Sequence, residues 1–366
     1  MTVRTKALLA APTVLLTAVA CLAGTGTAQA HGGGPAARPG RPAAGTCSAD
    51  VTLDGFSDAL DKTTFDGAYV GNLSALAPDA HGTLDALSDR SQLFTLGGRT
   101  LAGLTPEKVV PLADENGQPL DSEALAVDRD GTRLITSETE PSIRRYSRDG
   151  SRILGSLPVP GSLQVAPAGR ATSNLTFEGL AFQPGGRTLV ASMEGALSGD
   201  DSGLVRFQTW QREGGGADFT LGRQYAYHVD TDANGTLLGV SDIAATGDGR
   251  LLVLERGYTA GVGNTVRLYL ADPSHATDVS RVTDLTGQKD VKVMPKTLLA
   301  DIGSCPSLGA TAKQPQPNPL LDNIEGIAVT GHAPGGGLRL LLVSDDNQSA
   351  TQVTRFYALT ARLPKH

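Results

Sequence analysis

Aromatic side chains are scarce in this 366-residue chain, which holds 8 Phe, 7 Tyr and 1 Trp. Cysteine and methionine occur only 3 times each. No Cys-x-x-Cys pair exists and the 6 His are scattered, which argues against a zinc site. There is no Gly-x-Ser-x-Gly elbow, and no Ser falls in a recognisable Ser/His/Asp arrangement, so a serine-esterase mechanism is not expected. Positive charge is in deficit. With 31 Lys and Arg against 38 Asp and Glu, the formal net charge is −7, the wrong sign for a phosphate-backbone partner. An uninterrupted span of ~20 apolar residues, the length a membrane helix needs, is also missing.

What the chain has in quantity is glycine, 45 residues without a collagen period, together with 40% hydrophobic residues. That combination describes a turn-rich, ordered, all-β protein rather than a helical or disordered one. Residues 1–30 read as a secretory signal. Arg4 and Lys6 form the positive start, residues 7–23 the apolar stretch, and Ala28-Gln29-Ala30 the small-x-small cleavage site. Cys21 offers a lipid anchor as the minor alternative. Cleavage removes two cations and no acid, so the exported chain carries −9. Residues 31–46, rich in Gly, Pro and Ala, read as a flexible linker. The exported chain then holds Cys47 and Cys305, most simply one disulfide closing a loop of nearly 260 residues. Loop closure on that scale stabilises by an amount on the order of 4–5 kcal/mol.

One pattern recurs along residues 47–366. An acid and a small apolar stretch lead into a Gly-rich turn, and an apolar strand ending in an acid follows. The copies begin at Glu123-Ala124-Leu125, Glu178-Gly179-Leu180, Asp242-Ile243-Ala244 and Glu325-Gly326-Ile327. They end at Glu138, Glu194, Glu255 and Asp345. A degenerate first copy runs from Ser74-Ala75-Leu76 to Ser88-Asp89. Repeats of short strands spaced by roughly 50–80 residues indicate a β-propeller of four-stranded blades. The expected outer strands are 143–146 and 153–157, 204–207 and 224–227, 266–269 and 293–296. Residues 51–56 or 65–71 are available to close the last blade. Five blades are counted, and six is the alternative if residues 255–325 hide a degenerate one.

The runs Gly71-Asn72-Leu73-Ser74-Ala75-Leu76, Ala86-Leu87-Ser88-Asp89-Arg90, Phe177-Glu178-Gly179-Leu180, Leu252-Val253-Leu254-Glu255-Arg256, Asn323-Ile324-Glu325-Gly326-Ile327 and Val343-Ser344-Asp345-Asp346-Asn347 resemble the phytase-like family, also called the "esterase-like activity of phytase" family. The resemblance covers roughly residues 66–360. It implies a secreted or periplasmic propeller and, less directly, a hydrolase. The first repeat departs from the family pattern, with Asn72 where a second glycine is usual.

In a propeller, the start of the innermost strand and the end of its hairpin partner meet at one mouth of the central channel. The repeat therefore predicts nine carboxylates on one rim: Glu123, Glu178, Asp242 and Glu325 from the first strands, and Asp89, Glu138, Glu194, Glu255 and Asp345 from the second. Like charges so close call for compensation, and hard oxygen ligands suit Ca²⁺. Asp89, Glu138, Glu194, Glu255, Asp345 and Asp346 are the candidate metal ligands. Glu178, Glu194, Glu255, Arg256 and Glu325 are the candidate catalytic groups, and Arg90, Arg256 and Asn347 the candidate substrate-binding groups. The competing role for the repeated acids is to lock one blade to the next through backbone N–H groups. Weaker candidates are the calcium-loop-like Asp230-Thr231-Asp232-Ala233-Asn234-Gly235 and an acid from Gly199-Asp200-Asp201. His81, His228, His332 and Trp210 read as surface or packing residues. Together these features suggest a secreted, monomeric hydrolase of phosphoesters or esters, with Ca²⁺ as the expected cofactor and no transmembrane segment after cleavage. The alternative is a non-catalytic extracellular propeller that binds a ligand or protein at the same mouth.

Overall fold

The structure is a computed structural model and describes residues 45–79, 82–214 and 218–365. The expected signal, its cleavage site, Cys21, most of the expected linker and His81 lie outside the described residues. No helix of the described residues is long and apolar enough to cross a membrane.

Among the described residues, twenty-three strands follow one another, with only short 3₁₀ turns as helical elements between them. A short pair, β1 (Gly45–Thr46) and β2 (Val51–Ser57), precedes a hairpin, β3 (Thr63–Phe65) and β4 (Ala68–Val70). The first blade is β5 (Leu73–Pro78), β6 (Leu84–Ser88), β7 (Gln92–Gly97) and β8 (Thr105–Pro111). The second is β9 (Leu125–Val127), β10 (Arg133–Ser137), β11 (Ser142–Tyr146) and β12 (Ile153–Ser156). The third is β13 (Phe177–Phe182), β14 (Thr188–Ala196), β15 (Leu204–Gln211) and β16 (Thr220–His228). The fourth is β17 (Gly239–Ala245), β18 (Leu251–Thr259), β19 (Gly263–Ala271) and β20 (Lys296–Asp301). The fifth takes β21 (Asn323–His332), β22 (Leu338–Asp345) and β23 (Phe356–Ala361), and borrows β2 and β1 from the start of the domain.

The protein is thus a five-bladed propeller, closed by residues 51–57 rather than 65–71. The long stretch 255–325 holds β19, β20 and loops, and no sixth blade. The fourth blade's outer strand begins at Lys296, not at Val293, because Met294 and Pro295 pair instead with Ala226 and Asp272 through single backbone bonds. Gly45 and Thr46, counted with the linker above, pair with Leu53 and Thr52. Cys47 and Cys305 form a disulfide, tying this closing segment to the loop after the fourth blade.

Strand alternation explains the core. Every blade is covered on both faces, so each strand divides its side chains between two neighbours. Along β22, Leu338, Leu340 and Leu342 pack toward the fourth blade, whereas Leu341 and Val343 pack toward the first. Along β18, Leu252 and Leu254 face the fifth blade, and Leu251 and Val253 face the third. The principal apolar clusters fill the five interfaces between neighbouring blades. Trp210 lies in one of them, edge-on to Phe177, with its indole N–H donated to the Pro158 carbonyl at 2.6 Å.

The innermost strands β5, β9, β13, β17 and β21 contact one another around a closed ring. In the third and fifth blades that spacing depends on a glycine. A Cβ on Gly179 would lie 2.8 Å from the backbone nitrogen of Ile243, and one on Gly326 3.0 Å from the Ser74 carbonyl oxygen. Both obstacles belong to the backbone of the next blade and cannot rotate away. Gly179→Ala is therefore expected to destabilise the domain by about 1–3 kcal/mol, as over-packing does in tight cores. Chemical denaturation of the purified variant checks this, and an unchanged midpoint would contradict the close approach.

Candidate functional site

The strand pairing gives the repeat a register that places its side chains. Four of the innermost strands carry an irregularity near their start, with one residue bulged out of the ladder. The bulge falls at Ser74, Glu178, Ser241 and Glu325 in the first, third, fourth and fifth blades. In the second blade, Glu123 occupies the same place, one residue before Ala124, which meets Thr136. The residue ending the second strand pairs in every blade with the residue two before the bulge. Asp89 donates its N–H to Asn72, Glu138 to Asp121, and Glu194 to Thr176, while Arg256 pairs with Gly239 and Asp345 with Asn323. Ten equivalent positions therefore face the mouth. Seven hold carboxylates (Asp89, Glu123, Glu138, Glu178, Glu194, Glu325 and Asp345), two hold serines (Ser74 and Ser241), and one holds Arg256.

Two of the nine expected rim acids lie elsewhere. Glu255 is one residue out of phase, at the position filled by Ser88, Ser137, Met193 and Ser344 in the other blades. It faces the third blade and is fully buried, accepting from Tyr227 Oη at 2.6 Å, Asp230 N at 2.9 Å and Lys296 Nζ at 2.5 Å. Asp242 sits at the small-residue position after the bulge. It accepts from its neighbour Ile243 N at 2.7 Å and from Ile327 N of the fifth blade at 2.8 Å. That is the inter-blade lock expected for the repeated acids, realised at this one first-strand acid. Glu138 does something similar among the second-strand acids, accepting from Thr176 N at 3.0 Å at the entrance to the third blade.

The other candidates disperse. Asp346 turns away from the mouth to Lys62, Tyr69 and the Asn72 N–H, and so holds the β3–β4 hairpin. Asn72 itself adopts a left-handed φ of 54°, which Asn tolerates nearly as well as the glycine usual there. Arg90 is exposed and 3.5 Å from Asp89. Asn347 is exposed in a turn, with its N–H donated to Asp345 at 2.7 Å. In the calcium-like loop, Asp232 is consumed by the N–H groups of Asn234 and Thr236, and Asp230 by Lys296 and Tyr269. Asp200 is paired with Arg206 at 2.7 Å.

What remains at the mouth is a tight anionic cluster around one cation. Carboxylate oxygens of Glu138, Glu178 and Glu194 lie within 4.8 Å of one another. Arg256 Nη2 is 3.1 Å from Glu325 and 3.6 Å from Glu194, and its buried Nε finds no acceptor. Asn323 donates to Glu325 at 2.9 Å and reaches Asp345 at 3.5 Å. Burial dominates the proton affinities. It raises Asp89 to about 7, helped by Asp345, and Asp345 to about 8, helped by Glu325. It raises Glu138 to about 7 against the Thr176 N–H, and Glu325 to about 7 against Arg256. Glu123 and Glu178 are raised well above the usual carboxylate range, through burial and then their carboxylate neighbours. Three hard oxygen donors within reach of one another, uncompensated by local cations other than Arg256, suit Ca²⁺, Mg²⁺ or Mn²⁺ and not a soft metal.

Glu123, Ser74, Ser241 and Asn323 join this site although none was among the candidate catalytic or ligand groups above. The signal was present in the column Ser-Asp, Ser-Glu, Met-Glu, Glu-Arg, Ser-Asp at the ends of the second strands. Aligned in that way, it places Arg256, and not Glu255, beside the acids.

A model of the family described as "Phytase-like: Esterase-like activity of phytase" matches residues 68–348. No curated protein matches the chain significantly. Among solved structures, similarity extends to the PQQ-bound aldose sugar dehydrogenase from Streptomyces coelicolor, at 13% identity and TM-score 0.37 over 87% of this chain and 100% of that one. It extends also to a Trichoderma reesei protein of carbohydrate-active family AA12, at 12% identity and TM-score 0.37 over 88% and 98%. A Dyadobacter fermentans protein of unknown function is similar at 11% identity and TM-score 0.39 over 84% and 100%. These distant likenesses carry no argument about chemistry.

The raised proton affinities have a consequence for stability. Asp89, Glu138, Glu325 and Asp345 keep protons in the folded state that the unfolded chain releases near pH ~4. Their contribution is therefore fully present below about pH 4 and is lost as pH rises through 7 to 8. The melting temperature of metal-free protein should fall between pH 5 and 8.5, and Glu178→Gln should flatten that fall. A profile that is level for the unmodified protein in differential scanning calorimetry would refute the buried like-charge cluster.

Proposed function

Because this chain belongs to the phytase-like family, whose model spans residues 68–348, we propose that it is a propeller hydrolase of phosphoesters or carboxylic esters working at the acidic channel mouth. The observation that carries this reading is the meeting of Glu138, Glu178 and Glu194 within 4.8 Å, beside the half-buried Arg256. The three carboxylates would hold a hard divalent cation, with Ca²⁺ the first choice. Such a cation supplies Lewis-acid polarisation of the scissile phosphoryl or carbonyl oxygen. Arg256 sets its positive charge beside the three carboxylates, where the guanidinium can stabilise an anionic oxygen while its Nη2 remains anchored on Glu325. Glu325 is held by Asn323 and faces the same space, which suits a base that takes a proton from water. Glu255, fully buried in its ion pair with Lys296, has no access to that space and is left as a structural group.

Export is part of the proposal. The signal-like first thirty residues and the disulfide between Cys47 and Cys305 both suit an oxidising compartment.

Calcium added to chelator-treated protein is expected to raise the melting temperature and to switch on hydrolysis across a panel of phosphate monoesters and short esters. Glu178→Gln should abolish the calcium shift, and Arg256→Gln should lower kcat/KM by about 10²-fold or more, as removal of a charge-stabilising group does. No thermal response to calcium, magnesium or manganese together with no turnover on the panel would defeat the reading. A ligand that binds the mouth without turnover would favour the non-catalytic propeller.

A further inference from the structure

The seam between the third and fourth blades opens beside Glu194 and Arg256. β14 leaves its partner β15 after Ser192 and rejoins it only at Ala196 opposite Val205. Over that gap Glu194 and Gly195 bond back to Thr176 and Leu175. On the other side of the seam, β18 and β19 run on past Arg256 as a paired hairpin to Thr259 and Gly263. Between the two lies a cavity of about 400 Å³. Its inner end is Glu194 and Arg256, and the rest of its wall is largely apolar, including Leu175, Val205, Leu237, Leu238 and Tyr258.

Those residues divide by burial. Val205 and Leu238 are core side chains that form the floor. Leu175, Leu237 and Tyr258 are 37%, 39% and 48% exposed, which is unusual company for a rim otherwise made of carboxylates. Tyr258 follows Arg256 by two residues on one strand, so both project from the same face of the sheet. An apolar trough that ends on a charged, catalytic-type pair is the layout of a site that reads a non-polar arm and positions a polar reacting group.

Resting on the hydrolase reading above, we infer that this trough is the specificity pocket of the site, and that it takes the apolar alkyl, aryl or acyl arm of an ester whose reacting group lies at Glu194 and Arg256. The volume suits an arm of moderate size rather than a polymer, since small-molecule sites begin at about 300 Å³. A highly phosphorylated polyol is disfavoured at the same place. Arg256 is the single cation on the ten rim positions, and the adjoining walls offer hydrocarbon where such a substrate would need charge.

The test is a binding measurement that does not depend on turnover or on metal. The probe is N-phenyl-1-naphthylamine, a neutral aryl fluorophore, titrated into the full-length protein. Saturable binding is expected, displaced at least tenfold more effectively by hexyl acetate than by methyl acetate. Leu237→Gln and Tyr258→Gln alter exposed side chains and should each weaken the probe about tenfold and reduce the preference for the longer ester. Leu221→Gln, on an exposed outer strand away from the seam, should change neither. Unaltered probe binding in both seam variants, or equal displacement by the two esters, would overturn the pocket even if the protein proves to be a hydrolase. Conversely, a pocket with these properties in a protein that turns over no ester would sink the hydrolase reading and leave the trough as a binding site.

Discussion

Five inner strands have to crowd around one axis, and the rest of the molecule follows from how that crowding is met. The residue after the bulge position is Ala75, Ala124, Gly179, Asp242 or Gly326, one per blade. Where it is glycine, the neighbouring backbone stands at the distance a Cβ would need. The residue before it is pushed out of the ladder as a bulge and is thereby aimed into the channel mouth. The packing constraint thus creates the acidic cluster. Glutamates at the bulge cannot avoid one another once their strands are this close.

The fourth blade breaks the pattern twice, and the two breaks belong together. Its bulge is Ser241 in place of an acid, and its second strand ends in Arg256 in place of an acid. One blade therefore removes two negative charges from the mouth and adds a positive one. The displaced acids are put to structural use. Asp242 fastens the fourth blade to the fifth through Ile327, and Glu255 fastens it to the third through Tyr227 and the Asp230 N–H. The seam beside this blade is also where β14 departs from its partner and a cavity opens. Charge reversal, blade locking and the trough all fall on the same sector of the ring.

Much of this was legible in the chain. The repeat, the strand-turn-strand rhythm and the disulfide between Cys47 and Cys305 could be read directly. The convergence of acids was legible as well, because period and spacing carry it. What failed was phase. Glu255 and Asp242 each sit one residue from the column assigned to them. Alternation in a strand turns a one-residue shift into the opposite face of the sheet. Asp346 failed for another reason, since its partners Lys62 and Tyr69 are nearly 280 residues away in the chain.

By itself the sequence determined the propeller architecture, with five blades counted and six left open, because these rest on local periodicity that recurs along the chain; the family was legible from the resemblance of particular motifs. Only the tertiary structure decided which of the nine carboxylates share the mouth, that Arg256 stands among them, and that an apolar trough runs up to it. Those facts depend on bulges and on the pairing between blades. Both are settled when neighbouring sheets pack within van der Waals contact, and no window of sequence contains that contact.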